Sequence, residues 1–205
     1  MKKFLIINPF GIGDVLFTTP VISTIKDSYP DAFIGYWCNN RVKDIFKNDP
    51  NINKIFALSR GDLKNIYKNS KFGGIKKFLS LVSGIKRERF DIALDFSQDH
   101  RYSLISKFLG IKKRIGFNYK SRGRFLTDKI DIDGYSDKHV VEYYLDLLKF
   151  LNIRQEKCNL YLCLSESSKL KSKSILKLAA INDKDLVVGI APGAGASWGK
   201  DAVLK

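Results

Sequence analysis

Three cysteines, two histidines and a shortage of acidic residues set the first bounds on this 205-residue chain. Cys38, Cys158 and Cys163 are odd in number, and the last pair has no neighbouring histidine. That excludes a disulfide framework and a zinc cluster in favour of reduced thiols. His100 and His139 lack metal-ligand spacing. The longest strongly apolar stretches, Phe4 to Ile7 and Leu186 to Ile190, fall far short of the roughly 20 residues of a membrane span. Although the chain opens on Met1, Lys2 and Lys3, the apolar run that follows ends at Asn8 and Pro9, with Asp14 beyond. A secretory leader is therefore not expected, and a cytoplasmic protein is. No internal repeat or low-complexity tract occurs.

What is present begins with an apolar fraction of 44%, enough for a packed core and too much for a disordered chain. Lys and Arg number 36 against 21 Asp and Glu, a net charge of +15. Between Arg60 and Lys129 there are 18 basic and 6 acidic residues, so +12 of the +15 lies there. An anionic partner near that region is the physical expectation.

The elements alternate as in a parallel sheet with crossover helices. Strands are expected at Phe4 to Ile7, Ala32 to Cys38, Lys54 to Leu58, Phe90 to Phe96 and Arg114 to Phe117. Helices are expected between them, one around Val21, Ile22 and Ile25, another broken at Gly73 and Gly74, and one from Arg101 to Leu109. Residues 118 to 138 read as a polar loop, and Lys138 to Leu151 as a helix with an apolar stripe. Leu186 to Ile190 reads as a buried strand that opens a further unit. The fold class is α/β, Rossmann-like and doubly wound.

Three segments carry candidate chemistry. NPFGIGDV, residues 8 to 15, ends the first strand, where open α/β sheets bind their ligands. Gly11 and Gly13 allow a tight turn and close backbone approach, and Asp14 falls at the start of a helix. As a dinucleotide fingerprint the segment fails: the third glycine position holds Leu16 and no acidic ribose partner follows. Asp14 suits a helix cap and equally a general base, and the two roles can coexist. PGAGASWGKD, residues 192 to 201, offers Gly193, Gly195 and Gly199 with Ser197, Lys200 and the later Lys205 for an anion, although it is not a Walker loop. A plain strand-to-helix turn is the simpler alternative. The basic middle, with FNYKSRGRF at 117 to 125, fits nucleic acid, anionic lipid, a phosphorylated sugar or merely a solvated face. Arg101, just past the fourth strand, has a fork suited to phosphate or carboxylate.

Taken in order, FLIINPFGIGDVLFTTPVISTIKDSYP, FDIALDFSQDHRYSLISKFLGIKKRIGF, HVVEYYLDLLKFL and VVGIAPGAGASWGKDAVLK resemble the ADP-heptose:lipopolysaccharide heptosyltransferases, the family 9 glycosyltransferases. The resemblance implies a GT-B architecture, with an acceptor-binding Rossmann-like domain at residues 1 to 155. Residues 156 to 205 would be a linker and the start of the nucleotide-sugar domain. It implies transfer with inversion, without a metal ion or other cofactor, from ADP-heptose to the inner core of lipopolysaccharide. Asp14 matches the family's catalytic aspartate. Gly11, Gly13, Arg101, Arg122 and Arg124 are then expected on the acceptor side. Gly193, Ala194, Ser197 and Lys205 fall where the donor diphosphate is held. The implied partners are the nucleotide sugar, the lipid A-core acceptor and an anionic membrane surface at the inner face of the cytoplasmic membrane, with no nucleic acid. Because the sequence ends at Lys205, the donor domain is expected to be cut short and the chain alone inactive. Other sugar-nucleotide transferases of this architecture remain an alternative, as does a basic nucleic-acid-binding module.

Overall fold

Side chains of the first strand alternate between two apolar environments, and this organises everything around it. Phe4 and Ile6 enter one core and Leu5 and Ile7 the other, all fully buried. The computed structural model describes residues 1–58, 71–153, 159–182 and 184–190. These fall into two units, Met1–Cys163 and Leu164–Lys205.

In the first unit, β1 (Lys3–Asn8), β2 (Phe33–Cys38), β3 (Lys54–Ala57), β4 (Ile92–Asp95), β5 (Lys113–Tyr119) and β6 (Asp128–Ile132) form one sheet. Its order is β3-β2-β1-β4-β5-β6, and every pairing is parallel. One face is covered by α2 (Thr19–Ser28), the 3-10 segment Asn40–Phe46, α5 (Val140–Asp146) and the 3-10 turn Leu147–Leu151. The other is covered by α3 (Lys71–Glu88) and α4 (His100–Phe108). Both faces being buried, the central strands are continuous apolar runs rather than alternating ones.

The first crossover is two helices rather than one. A short α1 (Ile12–Leu16) is followed by α2, with Pro20 in its first turn. There the missing N–H of proline costs nothing. Gly73 and Gly74, expected to break a helix, lie in the first turn of α3, where burial of Gly74 and of Ile85 further along anchors the helix on the sheet. Residues 118 to 138, expected as loop, contain β6. Its side chains alternate weakly in burial, and its amino end is tied down by Arg114 N–H donating to Thr127 Oγ1 at 2.8 Å. The Arg114 guanidinium also donates to the Phe125 carbonyl at 2.7 Å and closes this short connection.

In the second unit, α6 (Glu166–Leu178) is capped by Ser165, whose Oγ accepts from Ser168 N at 3.1 Å. Leu186 to Ile190, expected as a buried strand, forms no strand and is exposed, Leu186 to 94% and Ile190 to 81%. A strand is stabilised by its neighbours in a ladder. Among the described residues nothing pairs with this segment.

Candidate active site

The parallel order places Asn8, Cys38, Ala57, Asp95 and Tyr119 at one carboxyl edge, and the turn that leaves β1 there carries Asp14. Gly11 is the cap of α1, with φ −82° and ψ −174°, and Asp14 occupies the third helical position. Its Oδ2 accepts from Gly11 N at 3.2 Å. Glycine has no side chain to return the bond, so only half of a reciprocal capping arrangement exists. The cap expected from the sequence is therefore present, and it engages one carboxylate oxygen. Asp14 stays half-buried, with its surroundings open. A Cβ on Gly13 would meet nothing within 4 Å, and one on Gly11 would meet only the Asp14 Oδ2 at 3.7 Å. These glycines leave free space beside the carboxylate instead of serving a left-handed backbone.

Beneath the turn is a polar network that the sequence did not reveal. Asn8 is fully buried, donates from Nδ2 to the Asp14 carbonyl at 2.9 Å and accepts from Phe10 N at 3.2 Å. It therefore ties both limbs of the glycine turn to the end of β1. The Tyr144 phenol lies close enough to the Asn8 side chain and to Tyr135 to feel both, its ring 6.0 Å from that of Tyr135. The Tyr135 hydroxyl accepts from Gln98 Nε2, and Gln98 sits in the β4–α4 loop at φ +53°. A third phenol, Tyr36, reaches from β2 to Thr18 Oγ1 at 2.7 Å and pins the junction of α1 and α2. Burial raises the pKa of all three tyrosines, that of Tyr135 to about 12, and the negative charge of Asp14 adds to the shift in each case. The wall around Asp14 is thus a set of neutral hydroxyl groups at physiological pH. His139 caps α5, accepting from Val141 N on Nδ1 at 3.3 Å, and its ring meets Phe17 edge-on at 5.2 Å.

Asp95, at the end of β4, is buried, and desolvation raises its pKa to about 7 even though Ser97 donates to it. The charge of Asp99 pushes the same way. Among the described residues no group of three or more His, Cys, Asp or Glu side chains is placed to hold a metal ion.

The expected arginines are in different states. Arg101 follows the cap residue Asp99 of α4, and its Nε lies 3.0 Å from both Asp99 carboxylate oxygens, with a further contact from Nη2. An arriving anion must compete with Asp99 for that fork. Arg122 and Arg124 are exposed in the β5–β6 connection, the latter stacked over Phe125 at 4.5 Å. Gly193, Ala194, Ser197 and Lys205 lie outside the described residues.

Comparison with known proteins settles the lineage. The family model described as glycosyltransferase family 9 (heptosyltransferase) matches residues 78–201, more than half of the chain. The chain belongs to glycosyltransferase family 9. Lipopolysaccharide heptosyltransferase 3 of Escherichia coli (strain K12) is 27% identical over 184 residues, 89% of this chain and 51% of that protein. Lipopolysaccharide heptosyltransferase 1 of Campylobacter coli is 24% identical over 154 residues, 73% of this chain and 41% of that protein. The chain spans about half the length of the curated relatives it matches. Among solved structures, a family 9 glycosyl transferase from Veillonella parvula superposes with a TM-score of 0.78 at 16% identity, covering 95% of this chain and 55% of that one. The E. coli ADP-heptose lipopolysaccharide heptosyltransferase II gives 0.67 at 21% identity, with the same 95% and 55% coverage. The six-stranded parallel sheet is therefore the Rossmann-like half of a GT-B family 9 protein.

Proposed function

We propose that this family 9 chain supplies the acceptor side of an inverting heptosyltransferase, with residues 1–155 binding the acceptor and residues 156–205 opening the donor side. The reaction is transfer of heptose from ADP-heptose to the inner core of lipopolysaccharide, without a metal ion. The observation that carries this reading is Asp14, held by Gly11 N on one oxygen and flanked by glycine positions that leave open space. The second oxygen takes the proton of the acceptor hydroxyl as that hydroxyl attacks the anomeric carbon, and ADP leaves from the opposite face. General-base assistance of this kind is worth about 100- to 10,000-fold. The neutral phenols of Tyr36, Tyr135 and Tyr144 leave the nearby negative charge on Asp14 alone. Donor-diphosphate contacts fall to Gly193, Ala194, Ser197 and Lys205, where positive charge and backbone amides offset the charge that develops on ADP.

Arg122, exposed beside the carboxyl end of β5, and Arg124, exposed further along the same connection, meet the anionic groups of a lipid A-core acceptor, and Arg101 joins them when an anion displaces Asp99. No helix among the described residues is long and apolar enough to cross a membrane. We place the protein at the inner face of the cytoplasmic membrane, in peripheral contact with anionic lipid. In a two-domain form of the protein, Asp14→Ala should abolish measurable heptose transfer to a lipid A-core acceptor while ADP still protects against thermal unfolding. Normal transfer by Asp14→Ala would overturn the assignment.

A further inference from the structure

The basic stretch does not gather at the catalytic edge. Lys86 and Arg87 lie in the last turn of α3, Arg89 follows it, and Lys112 precedes β5, so all four sit at the amino edge of the sheet. They line one cleft of about 630 Å³, with Ser83, Asp91 and Gly110 on its walls. The strand β1 spans six residues, which at about 3.3 Å each puts this cleft on the order of 15–20 Å from the turn carrying Asp14. It is a separate site.

Its positive charge is answered only in part from within the protein, since Asp91 is the one carboxylate among the lining residues, against four cations. Among the described residues no carboxylate forms an ion pair with Lys86, Arg87, Arg89 or Lys112. Glu88 pairs with Lys54 at 2.5 Å, and Asp91, within the cleft, has its Oδ2 turned to Lys3 N at 2.8 Å, which leaves a net excess of three positive charges among the lining residues. The carboxyl end of α3 contributes roughly half a negative charge, far short of four cations. Arg89 also has φ +54°, a left-handed conformation at a helix end that glycine adopts without strain. Gly110, which also lines the cleft, has φ +80° and open space where a Cβ would stand.

We propose that this cleft is a binding site for clustered phosphate groups, those of a soluble polyphosphorylated molecule or of anionic lipid headgroups. Several phosphates held close together answer four cations at once, and the mutual repulsion of the cations is relieved on binding. The site is independent of the transfer reaction proposed above.

The test titrates the chain with sodium tripolyphosphate by calorimetry, beside a double variant Arg87→Ser/Arg89→Gly and a control Lys171→Ser/Lys173→Ser on α6 that loses the same charge. The wild type and the control should bind alike. The cleft variant should bind about 20- to 30-fold more weakly, from roughly fivefold per cation. Arg89→Gly alone should raise Tm because it relieves the left-handed arginine, so weaker binding cannot be put down to unfolding. Sedimentation with phosphatidylglycerol vesicles, against phosphatidylcholine, separates the sources. Pelleting that tripolyphosphate reverses and the cleft variant loses identifies lipid headgroups; tripolyphosphate binding without pelleting identifies a soluble ligand. Equal binding by wild type and cleft variant, an equal loss in the α6 control, or no binding of tripolyphosphate or vesicles at all would overturn the proposal.

Discussion

Replacing Asn8 with alanine isolates the bonds that hold the Asp14 turn. The side chain is fully buried, and two of its bonds run to the turn's backbone, at 2.9 Å to the Asp14 carbonyl and 3.2 Å from Phe10 N. Each bond contributes about 1 kcal/mol net, and a partner left unsatisfied in a partly buried site adds to the loss, so Asn8→Ala should cost about 2–4 kcal/mol. With a urea dependence of about 2 kcal/mol per molar, the unfolding midpoint should fall by about 1–2 M. Far-UV circular dichroism reads that shift directly. The isosteric Asn8→Asp adds a pH signature. A buried carboxylate facing the Asp14 carbonyl has no donor, whereas the protonated acid has one, so its folded pKa lies above its unfolded value. Stability of this variant is then greatest below the unfolded carboxyl pKa and is lost as pH rises through the folded one. If Asn8→Ala left the midpoint unchanged, or Asn8→Asp matched the wild type at pH 8, these bonds would not be what holds the turn.

Asp95 makes the wild type itself pH-sensitive. Its folded pKa is raised from 3.8 to about 7, chiefly by burial, so its contribution is fully present below about pH 4 and is lost as pH rises toward 7. Asp95→Asn should therefore gain on the wild type by roughly 2–4 kcal/mol between pH 4 and pH 8, measured as the difference in urea midpoints; parallel profiles would contradict it. Gly116→Ala places a Cβ 2.6 Å from the Asp95 carbonyl of the neighbouring strand, which cannot rotate aside, and should cost about 2–3 kcal/mol by thermal or urea unfolding. Gly13→Ala meets nothing within 4 Å and should be neutral or stabilising by up to about 1 kcal/mol, while lowering transfer in a two-domain form if the acceptor approaches there. Cys38, buried with its thiol pushed up to about 12 by desolvation, should resist thiol reagents until the protein unfolds, as peptide mapping will show.

Much of this architecture was legible in residue order. Five of the six strands coincide with apolar runs bounded by Gly, Pro, Asn and Asp, because a strand buried on both faces needs uninterrupted hydrophobic residues. The position of Asp14 was equally legible, since a carboxylate just after a glycine turn caps the helix that follows. β6 escaped notice because DKIDI is short and only partly buried. Arg101 could have been read as paired, since Asp99 two residues earlier is a strong cap residue and brings its carboxylate alongside.

Other features have no local signature. Asn8, Gln98, Tyr135 and Tyr144 meet only because the chain returns from distant positions to one edge of the sheet. The +12 stretch reads as one patch along the chain, yet the fold sends Lys86, Arg87, Arg89 and Lys112 to the amino edge and Arg122 to the carboxyl end of β5, with Arg124 beside Phe125 further along the connection that returns to the amino edge. What the sequence by itself determined is the set of elements and the residue poised at the first turn, because periodicity, punctuation and capping act over a few residues. Which side chains share a site was decided by tertiary structure, through a strand order that pairs Phe4 with Ile92 across 88 positions of chain. No pattern over a few neighbouring residues encodes that pairing; the burial of both sheet faces selects it.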